Sequence, residues 1–200
     1  MNAIIILIII LIICILILIR NNKSGFENMK NIKKYKLAYN LGINFLNNFD
    51  KNVENPAVMF DIDDTLLYSS PELQEKGISF IPIKPIIEIL NECLRRGIIV
   101  LIITARDSKF RAHAIQDLKD NGIEYDYLYL RENPRDNHEE FKSDIKKYLL
   151  ENYKITTIMS LGDNLIDIYG RYSGYGLKLP NKTDPKLYEK KYGNLILIKT

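Results

Sequence analysis

The chain has 200 residues, enough for one domain or two at most. Apolar residues make up 46% and charged residues 26%, a globular balance that excludes wholesale disorder. A net charge of +3, from 28 basic and 25 acidic side chains, is too even to advertise a nucleic-acid partner, and two cysteines exclude a disulfide-stapled fold.

The charge is unevenly placed. Ala3 to Ile19 is an unbroken apolar run, almost all Ile and Leu, and every charged side chain lies beyond it. As a helix this run would span ~25 Å, the short edge of a membrane crossing. A cleaved signal peptide needs a basic start and small residues at the cut. Here only Met1 and Asn2 precede the run, and Arg20, Asn21, Asn22 and Lys23 follow it. The expectation is an uncleaved single-pass anchor over 1–19. A secreted or lumenal protein behind a signal peptide is the alternative. Arg20, Lys23, Lys30, Lys33, Lys34 and Lys36 all follow the run, which predicts a cytoplasmic catalytic domain. Asn22-Lys-Ser and Asn181-Lys-Thr match glycosylation acceptors, but such triplets arise by chance in an Asn-rich chain.

Residues 20–55 read as a polar linker and an amphipathic helix, with Leu37, Leu41, Phe45 and Phe49 four apart. That helix either packs on the following domain or stalks it off the membrane. The domain itself is expected over 56–200. Ala57 to Phe60 is a short buried strand. Pro85 to Arg96 is a helix stopped by Gly97, and Ile98 to Thr104 is a β-branched strand covered on both faces. Ser108 to Lys119 is a second helix, and Tyr125 to Leu130 a strand. Glu139 to Asn152 is a third helix with Phe141, Ile145, Tyr148 and Leu149 as its apolar stripe. Thr156 to Leu161 is a fourth strand. Whether Leu195 to Ile198 adds an edge strand stays open. The alternation predicts an α/β fold with a doubly wound parallel sheet, whose ligands bind beyond the carboxyl ends of the strands.

Those ends carry the chemistry. After the first strand comes Asp61-Ile-Asp63-Asp64-Thr65, after the second Thr104-Ala105-Arg106, and after the fourth Gly162-Asp163-Asn164-Leu-Ile-Asp167. Acidic residues gathered at one edge repel each other unless a hard cation such as Mg²⁺ joins them. Lys142, near the start of the third helix, adds a cation for a phosphate dianion. The bottom-up reading makes Asp61 the nucleophile and Asp63 the acid/base. Thr104, Lys142 and the backbone N–H groups after Thr104, Ala105 first, hold the transferring oxygens. Asp163 completes the cation site, and Asp167 orients the ion or its waters. Arg106 is expected to serve as a salt-bridge partner. His138, Arg131 and Arg135 are marginal candidates for substrate contact.

VMFDIDDTLL (58–67), LIITAR (101–106), Phe141-Lys142-Ser143 and LGDNLIDI (161–168) together resemble the four motifs of the haloacid dehalogenase-like (HAD) superfamily of phosphohydrolases. The helix before the first motif, the GDN form of the fourth and Leu-Lys-Leu-Pro-Asn at 177–181 are similar to its acid-phosphatase branch, which includes plant vegetative storage proteins and bacterial class B and C phosphatases. The resemblance implies an aspartyl-phosphate mechanism. It also implies Mg²⁺ held by Asp61, the backbone carbonyl of Asp63, and Asp163, with Asp167 beside them. Position 64 is Asp where much of the branch has Glu. Neither insertion point, Tyr68 to Ile83 or the stretch between Thr104 and Lys142, is long enough for a full cap domain, so a minimal cap and an open site are expected. The predicted function is a membrane-anchored Mg²⁺-dependent phosphomonoesterase acting on a nucleotide, sugar phosphate or similar ester. The alternatives are a membrane-tethered phosphoprotein phosphatase and a non-catalytic storage or scaffold protein on the same fold.

Overall fold

The computed structural model describes residues 35–68, 81–133, 137–180 and 196–197. The apolar run over 1–19, the linker to residue 34, both Asn-X-Ser/Thr triplets and Arg135 lie outside the described residues. No described helix is long and apolar enough to cross a membrane.

The centre of the fold is a strand apolar on both faces. β1 (Pro56–Phe60) is buried from Ala57 onward. Its odd positions, Ala57 and Met59, join one hydrophobic cluster, and its even positions, Val58 and Phe60, join another. That two-sided burial is the signature of a parallel strand covered by helices. β4 (Ile99–Asp107) repeats it: Val100 and Ile102 face one layer, Leu101 and Ile103 the other.

β5 (Tyr127–Arg131), β6 (Thr156–Gly162), β7 (Tyr175–Lys178) and β8 (Ile196–Leu197) complete one sheet. The order is β5-β4-β1-β6-β7-β8 with every neighbouring pair parallel. The doubly wound expectation therefore holds, and β8 settles the open question about the C-terminal segment. β7, β8 and the antiparallel ribbon of β2 (Leu67–Tyr68) with β3 (Ile81–Pro82) carry no periodicity long enough to read from the sequence.

Helix α1 (residues 35–48) and α2 (Lys84–Arg95) pack on one face of the sheet, and α3 (Arg111–Asp120) joins the same cluster through Ala114 and Leu118. α1 thus takes the packed placement of the two the sequence allowed. Its buried line is Ala38, Gly42 and Leu46, one position on from the expected stripe, and Leu37 is 47% exposed. A residue without a side chain sits at the middle of that line because α2 comes close: a Cβ on Gly42 would lie 2.7 Å from Ile89 Cδ1. The second predicted helix opens as a 3₁₀ turn, Ser108–Phe110, before α3 begins at Arg111. β5 starts at Tyr127 rather than Tyr125.

α4 (His138–Tyr153) covers the opposite face through Leu149, Phe141 and Ile145. Tyr148, assigned to its apolar stripe, is 46% exposed, and the positions one and two turns before the buried Leu149 hold Lys146 and Lys142, each 1% exposed.

Strand order reverses at β1, where the chain moves outward to β4 and β5 and then returns to β6 on the other side. The crevice at such a reversal is the expected ligand position. The turn into β7 depends on Gly174: its φ is +63°, and an added Cβ would sit 2.3 Å from the Ile158 carbonyl oxygen. Gly174→Ala should cost about 1–3 kcal/mol, seen as a lower urea midpoint. An unchanged midpoint would contradict this packing.

Candidate active site

The site begins where β1 ends. Asp61 N–H donates to the Leu161 carbonyl of β6 at 3.2 Å, which ties the first residue after β1 to the neighbouring strand. The chain then makes one tight turn, with Leu66 and Leu67 N–H both donating to the Ile62 carbonyl at 3.0 and 2.9 Å. Asp64 takes the left-handed conformation, φ 52°, and its N–H donates to the Leu67 carbonyl at 2.8 Å. Asp and Asn tolerate that backbone better than most side chains.

β6 ends in Gly162-Asp163-Asn164, and the short α5 (Leu165–Ile168) follows. Asp167 folds back over this turn, and its Oδ2 accepts from Asn164 N–H at 2.9 Å. Asn164 Nδ2 donates to Asp163 Oδ1 at 2.9 Å. The fold-back needs a residue without a side chain: a Cβ on Gly162 would overlap the Asp167 side chain, at 2.1 Å from its Cβ.

The sheet reversal places these carboxylates together. Asp61, Asp163 and Asp167 are buried, and one oxygen from each lies within 4.8 Å of the others. Lys142 Nζ donates to Asp61 Oδ1 and Asp167 Oδ1, both at 2.6 Å. Burying one such ion without a partner costs several kcal/mol, so the ammonium and the two carboxylates stabilise each other's presence. Thr104, at the end of β4, is 1% exposed, and its Oγ1 accepts from Arg106 N–H at 3.3 Å.

Asp63 goes elsewhere. Its carboxylate lies outside the trio and accepts two bonds from the Arg106 guanidinium, 2.8 Å from Nε and 2.7 Å from Nη2. Among the four acidic residues expected around a cation, Asp63 therefore stands apart at its side chain. The family resemblance offered only its backbone carbonyl as a ligand. Arg106 takes the salt-bridge role expected for it and also reaches Asp117 at 2.8 Å.

Three participants were not legible in the sequence. Lys146 is buried and donates to the Ser173 hydroxyl, whose own O–H donates to the Tyr169 carbonyl at 2.8 Å. Lys178, at the end of β7, is buried and donates to the Leu179 carbonyl at 2.9 Å. Tyr35, at the first described turn of α1, is the third. Its hydroxyl is held protonated by burial and by the charges of Asp64 and Asp163. A lysine reads as surface unless a strand or helix is known to bury it, and only β7 could have flagged Lys178. On the rim, Arg131 Nη1 lies 2.7 Å from His138 Nε2, and burial together with Arg131 and Lys142 lowers the His138 pKa.

Electrostatics follow from burial. Desolvation raises the Asp61 pKa even though Lys142 pulls it down. Desolvation lifts Asp163 to about 7; Asp167 and Asp64 add to the rise, and Lys178 and Lys142 oppose it. Desolvation alone would lower Lys142, but Asp167 and Asp61 outweigh it and hold the ammonium charged. Burial and the charge of Lys142 bring Lys146 down to about 8, against a weaker upward pull from Asp167. An all-oxygen acidic donor set of this kind suits a hard divalent cation and not a soft one.

A family signature described as HAD superfamily, subfamily IIIB (acid phosphatase) matches residues 71–186. It takes in Thr104, Lys142, Asp163 and Asp167 and begins after the Asp61–Asp63 segment. The match spans more than half of the chain, and the chain belongs to this family of phosphomonoester hydrolases. Among solved structures, the class C acid phosphatase from Bacillus anthracis is similar at 17% identity and TM-score 0.57, over 76% of this chain and 78% of that one. The same phosphatase with tungstate bound is similar at 17% identity and TM-score 0.54, over the same shares. These are likenesses of fold. No curated protein matches the chain.

Two outcomes follow from the site's packing and charge. Gly162→Ala must push Asp167 off its turn, and phosphatase activity should fall by about tenfold or more, with the melting temperature showing whether the fold survives; full activity would refute the close approach. The raised carboxyl pKa values set the sign of a pH effect. A carboxyl with a folded pKa above its unfolded value stabilises most below its ordinary range, and that contribution is lost as pH rises through the folded value. The melting temperature in chelator should therefore fall between about pH 4 and about pH 7, and Mg²⁺ should raise it more at the upper end. A melting temperature that rises across that window in chelator would contradict the assignment.

Proposed function

We propose that this chain is a membrane-anchored, Mg²⁺-dependent phosphomonoesterase that works through an aspartyl-phosphate. The observation that carries the reading is the convergence of Asp61, Asp163 and Asp167 around Lys142, from four separate elements, at the sheet reversal. Asp61, Asp163 and the Asp63 carbonyl would hold Mg²⁺, with Asp167 fixing the arrangement. When bound, the ion supplies positive charge against which the phosphate dianion can approach a carboxylate.

The chain's own groups do the rest. An Asp61 oxygen attacks phosphorus, the bond from phosphorus to the ester oxygen breaks, and Asp63 gives that oxygen its proton. Water then attacks the aspartyl-phosphate and loses a proton to Asp63. The phosphorus–Asp61 bond breaks, phosphate leaves, and both carboxyls return to their starting state. Thr104 and Lys142 hold the transferring oxygens in place. The short segment between the first two motifs favours an open site for small phosphomonoesters such as nucleotides and sugar phosphates. Anchorage and a cytoplasmic catalytic domain rest on the apolar run over 3–19 and on the basic residues after it.

Asp61→Asn and Asp163→Asn should each abolish phosphate release from p-nitrophenyl phosphate, at least about 100-fold. Excess chelator should do the same, with Mg²⁺ restoring turnover. Full activity in chelator, or in Asp61→Asn, would reject this function.

A further inference from the structure

The register of β4 against β5 breaks between Thr104 and Asp107: Thr104 pairs with Leu130 and Asp107 with Arg131, so Ala105 and Arg106 are inserted opposite a single step of β5. Such a bulge re-aims the side chains it carries. Here it brings the Arg106 guanidinium between two carboxylates on different elements. One edge of the guanidinium grips both oxygens of Asp63, at 2.8 and 2.7 Å, and Nη1 reaches Asp117 of α3 at 2.8 Å. The side chains of Arg106 and Asp117 are 14% and 20% exposed, whereas Asp63 remains 38% exposed. The clamp is thus covered on the helix side and open on the Asp63 side. A fork of two parallel bonds fixes the plane of a carboxylate as well as its distance. It uses one lone pair on each Asp63 oxygen and leaves another on each for a proton or a water.

We infer that Asp117, acting through Arg106, is a positioning residue for proton transfer by Asp63, a step that weighs most on esters of ordinary alcohols, whose oxygen cannot depart without a proton. This deepens the phosphomonoesterase reading and rests on it. Among the described residues, the Asp117 carboxylate reaches the site through Arg106 and bonds to neither Asp61 nor Lys142. Loss of its charge weakens the bond that fixes Nη1 from the helix side. The Asp63 plane then wanders, and the cost falls on the step that needs a proton delivered at a fixed angle.

The test measures kcat/KM, which reports all steps up to departure of the first product, for two substrates. p-Nitrophenyl phosphate has a leaving group that departs without a proton, and a simple alkyl phosphate such as glycerol phosphate does not. Asp117→Asn keeps the shape of the side chain. It should lower kcat/KM for the alkyl ester by about tenfold or more while changing it less than about threefold for the aryl ester. Arg106→Lys, which loses the fork, should show the same split more strongly. With the aryl ester both variants should also release a burst of p-nitrophenol, since Asp63 is needed again to activate water. Equal losses on both substrates, or none, would overturn the positioning role. If the unaltered protein hydrolyses neither ester, the phosphatase reading fails and this inference falls with it. Melting curves of each variant separate a lost clamp from a lost fold.

Discussion

An ammonium ion held between two buried carboxylates is the interaction on which the site depends. Lys142 lies 2.6 Å from both Asp61 and Asp167, and all three side chains are almost fully removed from water. None could stay ionised there alone. The charge inventory extends the same balance: among the described residues, the buried charged side chains are Asp61, Asp163 and Asp167 against Lys142, Lys146 and Lys178. A divalent cation and a phosphate dianion would enter such a site together without disturbing its neutrality, whereas either alone would leave an uncompensated charge.

The fold explains why those groups can be brought so close. Parallel strands end at one edge, and the reversal at β1 opens a crevice there. The functional side chains sit in the segments that follow β1 and β6, near the end of β4, or on the first turns of α4. A break in the ladder's register lies at Arg106, and a close approach of the Asp167 side chain to the backbone lies at Gly162. The first acts on Asp63 and the second on Asp167.

How much of this was legible depended on local periodicity. β1, β4, β6, α2 and α4 were readable because each is a run of apolar residues at strand or helix spacing, and the motif residues were readable because they follow those runs. Asp61, Thr104, Lys142 and Asp163 were placed on that basis alone. β2, β3 and β8 have two residues each, too few to show a period. Leu37 and Tyr148 were assigned inward by spacing, yet α1 buries the next position, Ala38, and α4 buries Lys146 while Tyr148 is exposed. Lys146 belongs to no motif, and its burial shows only once the packing around it is known. Asp117 shows no pattern at all, since its place depends on a bulge in a neighbouring strand.

The central position of β1 has a cost in time. Val58 pairs with Val100 on one side and with Met159 on the other. As the chain emerges from the ribosome, β4 follows β1, but the second neighbour, β6, is made only after β5 and α4. Until then one edge of β1 is unpaired, and an apolar strand with an open edge invites association with other chains. The order of strands that creates the crevice therefore delays the closing of its own central edge.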